Sequence, residues 1–230
     1  LKEVGEKYEY FAFSDQDDIW RENKIEIAIN HLKEKEYTKI AKLYFSRTAY
    51  YCSDCINEIG SSRIFKKPIS FSNALLQNIA GGNTILMNSR ARKVVIQTVG
   101  ESNFISHDWW CYQIITGAGG YVIYDPEPCL KYRQHGKNQI GANNNWRARL
   151  VRLRSLLQGQ FRTWNSINLK ALVDHKYLLT TDNQETLNDF IAARQASLTK
   201  RLVLSKRAGI YRQTLLGNFG LLLGIILNKV

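Results

Sequence analysis

An aromatic run that ends in a cluster of carboxylates constrains the fold of this chain more than any other feature. Residues 8–14 read YEYFAFS, and Asp15, Asp17 and Asp18 follow almost directly. A short apolar run of this kind is typical of a buried strand, and α/β proteins place their sites at the carboxyl ends of such strands. The pattern therefore predicts a strand that presents carboxylates at one edge of a sheet.

The segments that follow alternate between helical and strand patterns. Ile25, Ile29 and Leu32 recur at helical spacing up to about residue 35, and residues 43–51 then read as a strand. This β-α-β order favours an α/β fold. The later predictions, in chain order, are a helix over 73–79, a strand over 84–87, helices over 89–98 and 106–116, strands over 121–124 and 129–133, and a helical stretch over 183–204.

Composition and charge limit the classes of protein to which the chain can belong. With 230 residues, 44% of them hydrophobic, and only 3 Pro, the chain is neither disordered nor collagen-like. Residues 1–127 contain 15 Lys and Arg against 16 Asp and Glu, whereas residues 128–230 contain 17 against 4. A field of one sign attracts phosphate-rich partners, either anionic lipid headgroups or nucleic acid. We place a boundary near Asn145, between an α/β part (1–145) and a helical basic part (146–230).

The two ends of the chain bear on whether it belongs to a longer protein and whether it contacts a membrane. It opens without Met, in a pattern typical of the last turn of a helix, so we expect a piece of a longer protein. The apolar segment 215–227 has 13 residues, fewer than the roughly 20 that a membrane-spanning helix needs. Two alternatives remain for it: a helix lying among lipid headgroups, or a helix packed on its own domain or on a partner subunit.

Three carboxylates within four positions repel one another unless a proton or a cation lies among them. Mg²⁺ and Mn²⁺ prefer oxygen ligands and commonly bind through one or two carboxylates together with a substrate's phosphates. The acidic cluster is therefore a candidate metal site. The alternative is that these carboxylates only cap the helix that follows.

Four phrases of the sequence carry a resemblance to a known family. In chain order they are SDQDDIW at 14–20, FSNALLQN at 71–78 with Gly81 and Gly82, SHDWW at 106–110, and YRQHG at 132–136 with Asn138 and Gly141. Together they resemble the family-two glycosyltransferases of GT-A fold, in particular their bacterial rhamnosyltransferase-like branch. The resemblance covers residues 8–145. In the helical tail it extends only to general character and not to particular motifs.

The resemblance implies a partial GT-A, Rossmann-like mixed sheet flanked by helices, in which residues 1–145 are the C-terminal half of the catalytic domain. By the same resemblance, we expect the nucleotide-binding β-α-β-α portion that opens such domains to lie outside this chain. The implied activity is an inverting, metal-dependent transfer of a sugar, with rhamnose the first candidate, from a nucleoside diphosphate to a lipid-linked or polysaccharide acceptor. It would serve cell-surface glycan synthesis such as that of O-antigen, with the protein peripheral on the cytoplasmic face of a bacterial membrane.

By resemblance, one group of residues holds the donor. Asp17 binds Mg²⁺ or Mn²⁺ directly, and Asp15 assists through the metal or the ribose. His135 completes the ligand set from a distant loop, and Arg133 clamps the donor phosphate.

A second group faces the acceptor. Asp108 is the candidate general base, and a single displacement with one base inverts the anomeric centre. Gly81 and Gly82 belong to the acceptor segment, and Trp109 and Trp110 are candidates to stack on sugar faces, although adjacent helical residues point in different directions. The competing interpretation of Asp108 is a helix cap.

Other functions remain open on the sequence. Basic residues interleaved with Trp146, Phe161 and Trp164 suit a nucleic-acid-binding module, but no recognised motif supports it, so we expect no nucleic-acid partner. A catalytically inactive acceptor-binding fragment is a further alternative. Cys52 and Cys55 form a C-x-x-C, but without a second such pair buried thiols are favoured over a zinc site.

Overall fold

The computed structural model describes residues 1–5, 7–33, 40–52, 56–100, 102–133, 154 and 158–230. The boundary predicted near Asn145, together with His135 and Cys55, lies outside these residues. Within them the chain forms a mixed sheet flanked by helices, followed by a helical C-terminal region. This is the expected α/β class, consistent with a partial Rossmann-like glycosyltransferase fold.

The sheet is built around two long parallel strands. Its strands are β1 (Tyr10–Ala12), β2 (Ile19–Trp20), β3 (Lys42–Tyr51), β4 (Glu58–Ser61), β5 (Leu86–Asn88) and β6 (Tyr121–Arg133). They lie in the order β1-β5-β3-β6-β2, and β4 pairs with β3. Only β3 and β6 run parallel, and the other pairs are antiparallel. The acidic segment therefore starts after β1, on one side of the central pair, and ends at β2, on the other side.

Helices cover the sheet and make up the C-terminal region. They are α1 (Lys24–Lys33), α2 (Phe71–Ala74), α3 (Ser89–Ile96), α4 (His107–Gly117), α5 (Gln160–Asp174), α6 (Thr181–Gln195), α7 (Leu198–Arg207) and α8 (Leu215–Ile226), with 3₁₀ turns over Gly82–Thr84 and Lys176–Leu178. Among the described residues no helix is both long and apolar enough to cross a membrane.

One hydrophobic core joins the sheet to the C-terminal helices. Phe45 of β3 and Ile114 of α4 belong to the same buried cluster as Leu172 of α5 and Phe190 of α6. Polar contacts add to it, since the Asn183 side chain donates to the carbonyl oxygens of Thr116 and Gly117 at 3.1 and 2.9 Å. The basic helices are therefore packed on the α/β part.

Most predicted elements are confirmed, and five differ for identifiable reasons. The aromatic run gives only the three-residue strand β1, and the helix expected over 73–79 is the single turn α2, which Ser70 caps by accepting from the Asn73 amide. The strand expected from residue 84 begins only at Leu86, because a 3₁₀ turn precedes it. The helical stretch over 183–204 is divided at Ala196, whose extended backbone ends α6.

The two strands predicted on either side of residues 125–128 are one strand, β6. Ser46 pairs with Asp125 and the next residue, Arg47, pairs with Pro128, so Pro126 and Glu127 form a bulge. A bulge leaves its extra residues outside the hydrogen-bonded ladder, which is where a proline without an N–H is tolerated. The prolines therefore bend the strand without ending it.

A buried polar contact ties α1, β3 and β6 together. The Tyr44 hydroxyl donates to Asp125 Oδ2 at 2.7 Å, and Tyr44 is fully buried. The ring of His31 stacks on Tyr44 with centroids 5.5 Å apart, and its Nε2 lies 3.6 Å from the same carboxylate oxygen. Burial, followed by the neighbouring Asp125, raises the pKa of Tyr44 well above its usual value, so the hydroxyl stays a donor.

Replacing Tyr44 with Phe removes the hydroxyl and leaves the buried Asp125 carboxylate with one donor fewer. We expect the free energy of unfolding to fall by about 1.5–3 kcal/mol, measured by urea denaturation at pH 7. Tyr177→Phe, at a side chain that is 68% exposed, is the matched control and should change it by less than about 0.5 kcal/mol. Equal stability of the two variants would contradict a structural role for this contact.

Candidate active site

The acidic segment between β1 and β2 places its carboxylates in different environments. Asp15 is exposed, while Asp17 and Asp18 are half-buried. Asp18 Oδ2 accepts a hydrogen bond of 2.5 Å from the side-chain amide of Asn83, which lies in the 3₁₀ turn after Gly81. A residue 65 positions away thus fixes the end of the acidic cluster.

Asn83 also holds a buried cation. The Nζ atom of Lys24, at the first turn of α1, donates to the Asn83 carbonyl oxygen at 2.6 Å and lies 3.5 Å from the centroid of the Trp20 ring. Lys24 is only 2% exposed, and burial lowers the pKa of its ammonium to about 8. Asn83 thus binds the acidic segment through its side-chain amide and α1 through its backbone carbonyl, and so joins both to the 3₁₀ turn in which it lies.

Asp18 has the electrostatics of a carboxylate that lacks a full set of partners. The pKa of Asp18 is raised to about 6, because burial and the negative charges of Asp15 and Asp17 raise it by more than the Asn83 hydrogen bond and Lys24 lower it. Its second oxygen, Oδ1, is buried and accepts no hydrogen bond from the part of the chain that the structure describes. A proton or a cation at this oxygen would relieve the repulsion.

Gly82 brings the helix that carries Asp108 against the same turn. A Cβ atom on Gly82 would lie 2.7 Å from His107 Nε2 and 3.5 Å from the Asp108 Cβ. The His107 ring also meets the Phe13 ring edge-on, with centroids 4.7 Å apart. Three of the segments singled out in the sequence, the acidic segment, the Gly81-Gly82 turn and the start of α4, therefore meet at one place.

Asp108 lies half-buried in the first turn of α4. Its Oδ1 accepts from the Trp109 backbone amide at 2.7 Å, while Ser106 is the N-cap residue and its side chain makes no capping bond. A carboxylate in this position is stabilised by the positive end of the helix dipole.

The two tryptophans after Asp108, expected to stack on sugar faces, lie in the core. Trp109 and Trp110 are 6% and 1% exposed. The indole of Trp109 donates to the Ala74 carbonyl oxygen at 2.7 Å, and that of Trp110 donates to Thr98 Oγ1 at 2.8 Å. Because both rings are enclosed and their N–H groups are used internally, neither offers an open face to a ligand in this structure.

The arginine expected to clamp phosphate lies at the end of β6. Ile19 pairs with Lys131 in the antiparallel register between β2 and β6. Arg133 itself pairs with Tyr51 in the parallel register between β3 and β6. His135 follows outside the described residues, so its place relative to the acidic segment is not described.

The carboxylates suit a hard divalent cation, although the described residues alone do not enclose one. Among those residues no group of three or more His, Cys, Asp or Glu side chains is arranged to hold a metal ion. Mg²⁺, however, usually binds through one or two carboxylates and completes its shell with water and substrate phosphates. The exposed Asp15 and the half-buried Asp17 fit that open mode of binding, beside an Asp18 oxygen that accepts no hydrogen bond from the described residues.

The described cysteines are consistent with buried thiols. Cys52, Cys111 and Cys129 are free, and the latter two are buried. Burial raises the pKa of the Cys111 thiol to about 12, so it stays protonated. Cys55 lies outside the described residues.

Comparison with known proteins gives one informative relative. The chain is 31% identical over 186 residues to the dTDP-rhamnosyl transferase RfbG of Shigella flexneri. The matched segment covers 77% of this chain and 61% of that protein, so the chain spans about three fifths of the relative's length. No family model and no solved structure matches the chain. The chain is therefore similar, over most of its own length, to part of a glycosyltransferase.

Sequence reasoning missed Asn83 and Lys24 as members of this site, and it gave Asp18 no role beyond its place in the acidic cluster. Asn83 directly follows the Gly81-Gly82 pair, and Asp18 belongs to the acidic phrase, so both lay beside recognised motifs. Lys24 gave no signal, because a lysine at the start of an amphipathic helix ordinarily faces solvent.

Replacing Gly82 with Ala tests the meeting of the turn and α4. The new methyl group would collide with the His107 ring and displace it. We expect a changed His107 signal in NMR spectra and a change of less than about 1 kcal/mol in the free energy of unfolding, because the exposed His107 side chain can rotate away. Gly220→Ala, where a Cβ meets nothing within 4 Å, is the matched control and should stabilise α8 by up to about 1 kcal/mol. A Gly82→Ala protein with an unchanged His107 signal would refute the contact.

Proposed function

We propose that this chain is the acceptor-side and base-bearing part of an inverting glycosyltransferase that uses a nucleoside diphosphate sugar. The observation that carries the proposal is the meeting at Gly82 and Asn83 of the acidic segment with the start of α4. Transfer of a sugar needs stabilised charge on the leaving diphosphate and, on the other side of the reacting carbon, a base for the acceptor hydroxyl. The similarity to a rhamnosyltransferase supports the same class of reaction.

The donor side of the proposal rests on the acidic segment. Asp15 and Asp17 would hold Mg²⁺ or Mn²⁺ in the open mode described above, with donor phosphate oxygens in the remaining positions. When bound, such a cation neutralises the negative charge that develops on the leaving diphosphate. Arg133, and His135 beyond the described residues, are proposed to meet the same phosphates.

The acceptor side rests on α4 and the glycine turn. Asp108 would accept the proton of the acceptor hydroxyl as that oxygen attacks the anomeric carbon. Attack from the face opposite the diphosphate inverts the configuration at that carbon in a single displacement. Gly81 and Gly82 are proposed to lie beside the acceptor, and the missing side chain of Gly82 lets the start of α4 lie against the turn. Asn83 is a positioning residue that holds Asp18 and Lys24 below this surface.

The substrates are proposed from the relative and from the charge of the chain. That relative is named a dTDP-rhamnosyl transferase, so a deoxythymidine diphosphate sugar, with rhamnose first, is the proposed donor. A lipid-linked saccharide, or a growing polysaccharide, is the proposed acceptor in cell-surface glycan synthesis. The excess of 17 basic over 4 acidic residues after position 127 supports peripheral binding at the cytoplasmic face of the cell membrane.

Replacing Asp108 with Asn tests the proposed base. In the complete gene product, supplied with a deoxythymidine diphosphate sugar and a lipid-linked acceptor, we expect turnover to fall by about 10²- to 10⁴-fold. The change is isosteric, so circular dichroism and the thermal unfolding midpoint should stay near those of the wild type. Product is measured by mass spectrometry.

Two comparisons make that assay decisive. Asp182→Asn, at an exposed carboxylate in the first turn of α6, is the matched control and should keep wild-type turnover. Near-normal turnover of Asp108→Asn would remove Asp108 from the role of base. Wild-type turnover that persists undiminished in excess EDTA would contradict the proposed cation.

A further inference from the structure

Helix α8 presents an entirely apolar outer face. Its inner side, which includes Leu221 and Ile225, is buried in the core. The outer side chains recur at helical spacing and are between 43% and 85% exposed. They are Leu215, Leu216, Phe219, Leu222, Ile226 and Leu227. A contiguous apolar surface of this kind marks an interaction site.

The part of the chain that contains this helix is cationic. From Phe190 to the last residue the sequence contains seven Lys and Arg and no Asp or Glu. Lys200 and Lys206 are exposed on α7. Arg201 of the same helix donates to the carbonyl oxygens of Ile225 and Ile226 at 3.0 and 3.2 Å, which fixes α7 to the end of α8.

Charge and length decide between the occupants that an apolar face can have. A second copy of the chain would bring the same positive charge toward itself, and that repulsion opposes a symmetric dimer. Nucleic acid would satisfy the cations and leave the leucines and Phe219 exposed to water. An anionic phospholipid surface satisfies both, since headgroups meet the cations while apolar side chains enter the acyl boundary. At 12 residues α8 is about 18 Å long against a hydrocarbon core of about 30 Å, so it would lie along that surface.

The segment before α8 fixes this face to the acceptor side of the site. The carbonyl of Tyr211 accepts from the Asn73 side chain at 3.0 Å, and Arg212 Nη1 donates to the Leu76 carbonyl at 2.9 Å. The amide of Gln213 donates to Gln77 Oε1 at 3.0 Å. Residues 211–213 are thus bonded along the segment that leads into the Gly81-Gly82 turn, and α8 begins two residues later.

We propose that the apolar face of α8 enters the headgroup region of an anionic phospholipid bilayer and, on the proposed function, holds the acceptor segment at the membrane surface. The lipid contact stands on the exposed side chains and charges of α7 and α8, whereas its consequence for the acceptor rests on the proposed transferase activity.

The test is cosedimentation of the chain with sucrose-loaded vesicles of phosphatidylethanolamine and phosphatidylglycerol, without donor or acceptor. The double variant Phe219→Ser and Leu222→Ser should lower the partition coefficient at least about tenfold, because two apolar side chains no longer leave water. Lys200→Gln with Lys206→Gln should lower it severalfold on these vesicles and leave weak binding to pure phosphatidylcholine unchanged. Ile56→Ser with Ile59→Ser, at side chains 78% and 54% exposed beside β4, is the matched control and should bind like the wild type.

The outcomes separate the proposal from its competitors. Binding of the wild type that is lost with the α8 variant and kept with the β4 variant supports it. Equal binding of all variants, or no binding of the wild type to the anionic vesicles, overturns it. A concentration-dependent dimer in sedimentation velocity that the α8 variant dissociates, or tight retention of single-stranded DNA without vesicle binding, also overturns it. Since no sugar is transferred in these assays, their result is independent of whether Asp108 is a base.

Discussion

The hydrogen bonds of one asparagine hold the candidate site together. The Asn83 amide donates to the Asp18 carboxylate, and its backbone carbonyl accepts from the Lys24 ammonium. Around this residue the acidic segment, α1 and the turn at Gly82 have a fixed relation, and Gly82 then sets the position of His107. The long parallel pair β3 and β6 is the scaffold of the site. β2 pairs with β6 on one side of this pair, and β5 pairs with β3 on the other side. The catalytic proposal depends on this geometry.

The same contacts have an electrostatic cost that the protein offsets only in part. Removing Lys24 and Asp18 from water disfavours their charged forms, which is why burial shifts the two pKa values toward each other. The carbonyl of Asn83 and the face of Trp20 stabilise the ammonium, whereas one oxygen of Asp18 accepts no hydrogen bond. Incomplete compensation of this kind is common where a site awaits a charged ligand.

Local pattern predicted the elements of the fold better than the partners of particular side chains. The strand β3 was predicted from its run of strand-forming residues, and the helix α4 from the Ser, His and Asp that open it. The bulge in β6 was missed because two prolines among strand residues ordinarily indicate a turn. Trp109 and Trp110 show why partners are harder to predict. The sequence gives the size and polarity of these side chains, but not that Ala74 and Thr98 accept hydrogen bonds from their indole N–H groups. The burial of Lys24 depends on contacts with residues near position 83, which no local pattern contains.

A double-mutant cycle on Asp18 and Asn83 tests the central geometry most directly. The free energies of unfolding of Asp18→Ala, Asn83→Ala and the double variant would be compared with that of the wild type by urea denaturation at pH 7. A hydrogen bond between these two side chains predicts a coupling free energy of about 1–3 kcal/mol. Effects that add to within about 0.3 kcal/mol would mean that the two side chains do not interact, and the acidic segment would lose its connection to the turn beside Asp108.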